Sequence, residues 1–128
     1  MAYAMGDVVF ETTLPGADRA RLADFSEGTE DPNPIHVDEA FAKAAGFPTV
    51  IQQGPMTTAH FARLLAAKVG QDKLRWLDVN FTAPVFPGEA LTLKAVVTGI
   101  ENGAVTCALT AEKADGSLTA KADAGFAG

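Results

Sequence analysis

With a single cysteine, Cys107, this chain has no partner for an internal disulfide. One cysteine and two histidines, His36 and His60, are also too few for a zinc site of the usual Cys/His kind, so no metal is expected. No run of about 18 apolar residues occurs, and no membrane-spanning helix is expected. The N-terminal Met-Ala-Tyr-Ala-Met-Gly-Asp lacks the basic patch and apolar stretch of a secretory signal. Together these absences point to a cytoplasmic protein. Basic residues are scarce as well, ten against sixteen acidic ones, and a net charge of -6 offers no basic field for nucleic acid. A phosphorylated ligand is still compatible, because a few local Lys or Arg suffice. No Gly-rich phosphate loop is present, so nucleotide-driven and hydride chemistry have no support.

What is present is enough for one domain over residues 1–128, with 48% hydrophobic residues to build a core. Asp7 to Thr13 is short and β-prone. Leu14-Pro15-Gly16 breaks it, and Ala17 to Phe25 reads as a short helix ending near Gly28. Asp38 to Gly46 is a second short helix, with Asp38 as its N-cap and Gly46 closing it. Met56 to Val69 is a longer apolar helix entered through Pro55 and stopped at Gly70, and its few charges predict that it is largely buried. Four β-prone stretches follow: Leu74 to Thr82, Ala90 to Thr98, a run alternating through Val105, Cys107, Leu109 and Ala111, and Leu118 to Phe126. Asn102-Gly103 and Asp115-Gly116 are hairpin turns between the last three. The pattern predicts an α+β domain, with an antiparallel sheet of strands in hairpin order curled around the single long helix. An open sheet edge and an incompletely covered side predict a dimer.

One segment reads as chemistry. Glu30-Asp31-Pro32-Asn33-Pro34-Ile35-His36 places a carboxylate, an amide and an imidazole in a loop stiffened by two prolines. Each proline fixes its own φ and pushes the preceding residue, Asp31 or Asn33, into extended geometry. A carboxylate held beside an imidazole can hold a water and move its protons. Spacing alone equally describes a proline-rich turn leading to a helix cap.

The stretch Thr29-Glu30-Asp31-Pro32-Asn33-Pro34-Ile35-His36-Val37-Asp38 resembles the signature of the MaoC-like, or (R)-specific enoyl-CoA hydratase, family. Many members carry Gly at the Glu30 position. A second stretch, Phe81 through Pro84-Val85 to Pro87-Gly88-Glu89, resembles the family's late motif, and its simplest role is a strand followed by a tight turn. The resemblance implies the hotdog fold and the reversible addition of water across the trans-2 double bond of an enoyl thioester, giving the (R)-3-hydroxyacyl product. It assigns catalysis to Asp31 and His36 without saying which is base and which acid. It assigns the oxyanion donor to the N–H of Gly54, where Gln53-Gly54-Pro55 stands for the family's His-Gly-Met. Asn33 is expected to order the loop, and His60 to pack or line a pocket. The acyl pocket is expected to be shaped by Phe47 to Gln53 and by the first helix.

No cofactor is implied, coenzyme A entering only as part of the substrate. The partners implied are an acyl-CoA or acyl-carrier-protein thioester and a second subunit, in a homodimer, higher oligomer or heterodimer. Two alternatives accompany this reading. One is a non-catalytic acyl-CoA-binding subunit of a heteromeric dehydratase, which the presence of both Asp31 and His36 disfavours. The other is a hotdog thioesterase, disfavoured because Gly54 to Val69 contains no Asp or Glu.

Overall fold

The alternating stretches form five strands in the computed structural model, which describes residues 2–128. They are β1 (Val8–Leu14), β2 (Leu74–Phe81), β3 (Leu91–Glu101), β4 (Ala104–Lys113) and β5 (Leu118–Ala127). Three helices lie between β1 and β2: α1 (Arg19–Gly28), α2 (Glu39–Ala44) and α3 (Gly54–Val69). A single 3-10 turn, Pro34–His36, separates α1 from α2. The strands make one antiparallel sheet in the order β1-β3-β4-β5-β2.

The last three strands are linked as expected. Asn102 (φ 52°) and Gly103 (φ 77°) both sit in the left-handed region that a tight β3–β4 hairpin requires. The β2–β3 link differs from the expected hairpin order, because β2 pairs with β5 at the opposite edge from β1. The physical reason is the connection itself. Residues 82–90 contain Pro84 and Pro87, are too long for a tight turn, and carry the chain across one end of the sheet.

Period two sorts the sheet's faces. Leu93, Ala95 and Val97 of β3 alternate inward with Cys107 and Leu109 of β4, and all are buried. α3 packs its Phe61, Leu65 and Val69 stripe into this face. Phe61 and Leu65 are fully buried, each contributing roughly 2–3 kcal/mol of apolar transfer. The rest of α3 is less buried than its composition predicts. Pro55, Ala59, Arg63 and Ala67 are exposed, because one sheet covers only one side of one helix. The sheet edges β1 and β2 are likewise uncovered.

A second, smaller core decides where the site lies. Leu22 of α1, Ala42 of α2, Val50 and Met56 at the start of α3 pack together, with Phe25, Ile35 and Phe47 partly buried against them. An ion pair at 2.5 Å between Arg19 and Glu39, and a 2.8 Å hydrogen bond from Arg19 to Thr49 Oγ1, join the same elements from outside. Asp38 caps α2 as expected, accepting from the Phe41 N–H at 3.1 Å.

Candidate active site

The loop between α1 and α2 is built from local hydrogen bonds. The Asp31 N–H donates to the Ser26 carbonyl at 2.9 Å, hanging the loop from the last turn of α1. To make that reversal Glu30 adopts φ 55°, a conformation that suits glycine better than a residue with a side chain. Asp31 Oδ1 accepts from the Asn33 N–H at 3.0 Å, and Asn33 Oδ1 accepts from the Ile35 N–H at 3.1 Å. The Asn33 side chain thus caps the 3-10 turn and holds the loop's shape. Ile35 plugs into the small core, which sets the facing of its neighbour His36.

Asp31 and His36 are brought together: Oδ2 of Asp31 lies 3.6 Å from Nε2 of His36. The imidazole is 11% exposed and the carboxylate 29%, so both reach solvent from a partly sheltered position. His36 Nδ1 lies 2.7 Å from the Ile51 carbonyl oxygen. A carbonyl only accepts, so Nδ1 carries a proton, and in the neutral ring the Nε2 lone pair faces Asp31. Two acceptors then face each other at a separation too long for a direct hydrogen bond. One water molecule can bridge them by donating one O–H to each.

Gly54 is the first residue of α3, and its N–H is among the first-turn donors that have no partner within a helix. A side chain at this position would meet the Phe81 ring, 2.9 Å from where a Cβ would stand. Gly54 forms part of the wall of a cleft of about 390 Å³, with Phe47, Gln52, Gln53, Phe81 and Val85 among the other lining residues. The 47–53 loop borders this cleft through Phe47, Gln52 and Gln53. α1 does not line it. Arg21, Asp24 and Phe25 instead line a separate groove with Met56 and His60, because α1 packs across the flank of α3's first turns. Asp31 and His36 do not line the Gly54 cleft either. The Ile51–Gly54 segment links the two places, holding His36 through Ile51 and presenting Gly54 three residues later.

His60 is half-buried beside Arg63, whose Nη2 lies 3.3 Å from His60 Nδ1. Burial, with the Arg63 and Arg21 guanidinium groups adding to it, holds its imidazole below the ordinary histidine range. The late-motif loop is tied down by hydrogen bonds and an ion pair. The Val85 carbonyl accepts from Gln52 N–H at 2.7 Å, and Glu89 Oε1 accepts from Phe86 N–H at 2.8 Å and pairs with Lys113 at 3.0 Å. Among the described residues, no group of three or more His, Cys, Asp and Glu side chains is placed to hold a metal ion, and no helix is long and apolar enough to cross a membrane. Sequence reasoning missed two contributors, the Ile51 carbonyl and the Gln53–Ser26 contact described below. A backbone carbonyl has no sequence signature, and Ser26 lies outside the motif.

Five antiparallel strands curled on one long helix, with an acid–imidazole pair on the loop leading towards that helix, define a hotdog-fold domain. The chain belongs to the MaoC-like domain family, whose model matches residues 6–117. It is 31% identical over 93 residues to an (R)-specific enoyl-CoA hydratase of Aeromonas caviae, covering 71% of this chain and 69% of that protein. It is 43% identical over 65 residues to the peroxisomal hydratase-dehydrogenase-epimerase of Saccharomyces cerevisiae, but that match covers 51% of this chain and only 7% of the yeast protein. The fold is shared with a chain in the crystal structure of the ChsH1-ChsH2 complex from Mycobacterium tuberculosis, at TM-score 0.87, 19% identity and 98% coverage of each chain.

Proposed function

We propose that this protein is a hydro-lyase acting on acyl thioesters, adding water reversibly across the trans-2 double bond of an enoyl-CoA or enoyl-carrier-protein substrate. The observation that carries this reading is the facing of Asp31 Oδ2 and His36 Nε2 at 3.6 Å, with the imidazole tautomer set by the Ile51 carbonyl. A water bridging the two acceptors is oriented with its oxygen free to attack C3. As the C3–O bond forms, one acceptor takes a water proton, and that same proton is passed to C2, so both groups end as they began. In the reverse direction the same groups remove the C2 proton and return it to the departing hydroxide as water.

Charge builds on the thioester oxygen as the enolate forms. The Gly54 N–H, at the N-terminus of α3, is the donor proposed to meet it, helped by the partial positive charge of the helix end. The Phe47 and Phe81 rings and Val85 offer the acyl group apolar surface in the cleft beside Gly54. The (R) configuration of the product, a cytoplasmic location and a homodimer covering the uncovered face of α3 belong to the same reading. Relatives with (R)-specific and hydroxyacyl-thioester activities support it.

The test is loss of the conjugated enoyl-thioester absorbance when the purified protein meets a panel of trans-2-enoyl-CoA substrates, followed by chiral analysis of the alcohol. Turnover giving the (R)-alcohol is expected. A folded protein inert towards every acyl length, on both CoA and carrier protein, would overturn the reading.

A further inference from the structure

We propose that Gln53 is a positioning residue that holds the Asp31 carboxylate in register with His36 and Gly54. This rests on the hydro-lyase reading above. Gln53 stands where the family pattern most often has histidine, and its side chain is fully buried. Its amide nitrogen makes two bonds, each 2.7 Å, one to the Leu22 carbonyl and one to Ser26 Oγ. Its Oε1 is buried without a partner. Turning the amide over would set that oxygen against the Leu22 carbonyl, acceptor against acceptor, so the observed orientation is the one the site allows. An unpartnered buried carbonyl costs stability, and an apolar side chain of similar size would fill the space without it. What glutamine supplies is two donors aimed at α1.

Those donors reach the dyad in one further step. Ser26 takes the Gln53 amide on its hydroxyl and gives its own carbonyl to the Asp31 N–H at 2.9 Å. Asp31 therefore hangs from Gln53 by way of Ser26. His36 hangs from Ile51, two residues before Gln53, through the 2.7 Å bond at Nδ1. Gly54 follows Gln53 directly. The four residues Ile51 to Gly54 thus carry or hold all three proposed functional groups, and the Gln53 side chain hydrogen-bonds to α1. Asp31 lies three residues beyond α1, and this tie acts together with the 3.2 Å bond from the Ile51 N–H to the Ile35 carbonyl to fix its loop against the Ile51–Gly54 segment.

The experiment compares wild type, Gln53→Leu and Ser26→Ala for kcat, KM and melting temperature, with a crystal structure of Gln53→Leu. For Gln53→Leu, kcat is expected to fall about 100-fold, the size of effect a displacement near 1 Å produces. KM and melting temperature should change little, and the crystal structure should show Asp31 Oδ2 moved away from His36 Nε2. Gln53→His, which offers one donor to α1, should recover part of the lost kcat. A purely structural role predicts the opposite split, a lowered melting temperature with kcat per folded molecule unchanged, and that result overturns the proposal. If Gln53→Leu does not fold, Ser26→Ala decides: a kcat loss of about tenfold with normal melting supports the tie, and unchanged kcat overturns it. If wild type turns over no enoyl thioester, the hydro-lyase reading fails. The crystal structure then judges the positioning claim alone, and an unmoved Asp31 refutes it.

Discussion

Replacing Asp31 by Asn changes two atoms' chemistry and almost no shape, which makes it the most informative single perturbation. Oδ1 of Asp31 accepts from the Asn33 N–H at 3.0 Å, and an asparagine carbonyl oxygen can do the same, so the loop survives. The other atom, 3.6 Å from His36 Nε2, becomes an amide NH₂. It donates where the carboxylate accepted, so a water between the two groups loses one acceptor and the proton loses one of its two destinations. General acid–base contributions run at about 10²–10⁴-fold, equal to about 2.7–5.5 kcal/mol on the barrier. With the imidazole neutral no ion pair is lost, and asparagine keeps the turn hydrogen bond, so the stability change should stay within about 1 kcal/mol. Turnover of an enoyl-CoA followed by absorbance, together with urea denaturation, measures both quantities. Asp31→Ala is the companion variant. It should lose activity to the same extent and also about 0.5–1.5 kcal/mol of stability, because the turn hydrogen bond goes with the side chain. An Asp31→Asn protein that keeps turnover within about threefold of wild type would refute the assignment, because no intact general acid–base group is that dispensable.

Other consequences are equally open to measurement. Gly54→Ala places a Cβ 2.9 Å from the Phe81 ring and should cost about 1–3 kcal/mol in urea denaturation; adding Phe81→Ala should recover most of it, and no recovery would trace the cost to the Gly54–Pro55 backbone instead. Glu30→Gly relieves the left-handed φ of 55° and should raise stability by about 0.5–1 kcal/mol with turnover unchanged; a destabilised variant would show that the backbone there is unstrained. Cys107 is fully buried, and burial, with the Asp123 carboxylate adding to it, pushes its thiol up to about 11. At pH 8 it should resist alkylation until denaturant unfolds the chain. Because the unfolded thiol ionises near 9 and the folded one near 11, stability should fall as pH rises through that window. Cys107→Ala should flatten that fall, and an unchanged profile would remove the thiol as its source.

Local patterns announced the elements and the motif, and these depend on neighbours along the chain. The Asn102-Gly103 hairpin, the Asp38 cap, the glycine stop at Gly70 and the alternation of β3 and β4 all follow from backbone preferences and period-two burial. So does the stiff Asp31–His36 loop, because its two prolines and its Asx bonds act within a few residues. The resemblance then pointed to Gly54 as well. The sequence by itself therefore determined the secondary structure, the family and the choice of groups proposed to act. Tertiary structure alone decided where β2 goes, because pairing with β5 rather than β3 is a long-range choice set by the proline-containing crossing at 82–90. It also decided that only one stripe of α3 is buried, since helix composition cannot say how many sides a sheet will cover. Above all it decided how the three groups are held together. The Ile51 carbonyl that sets the His36 tautomer and the Gln53 amide that reaches Ser26 are contacts between segments 15 and 27 residues apart. No local preference records them, because only the packing of α1, α2 and the start of α3 around Leu22, Val50 and Met56 brings those atoms within reach.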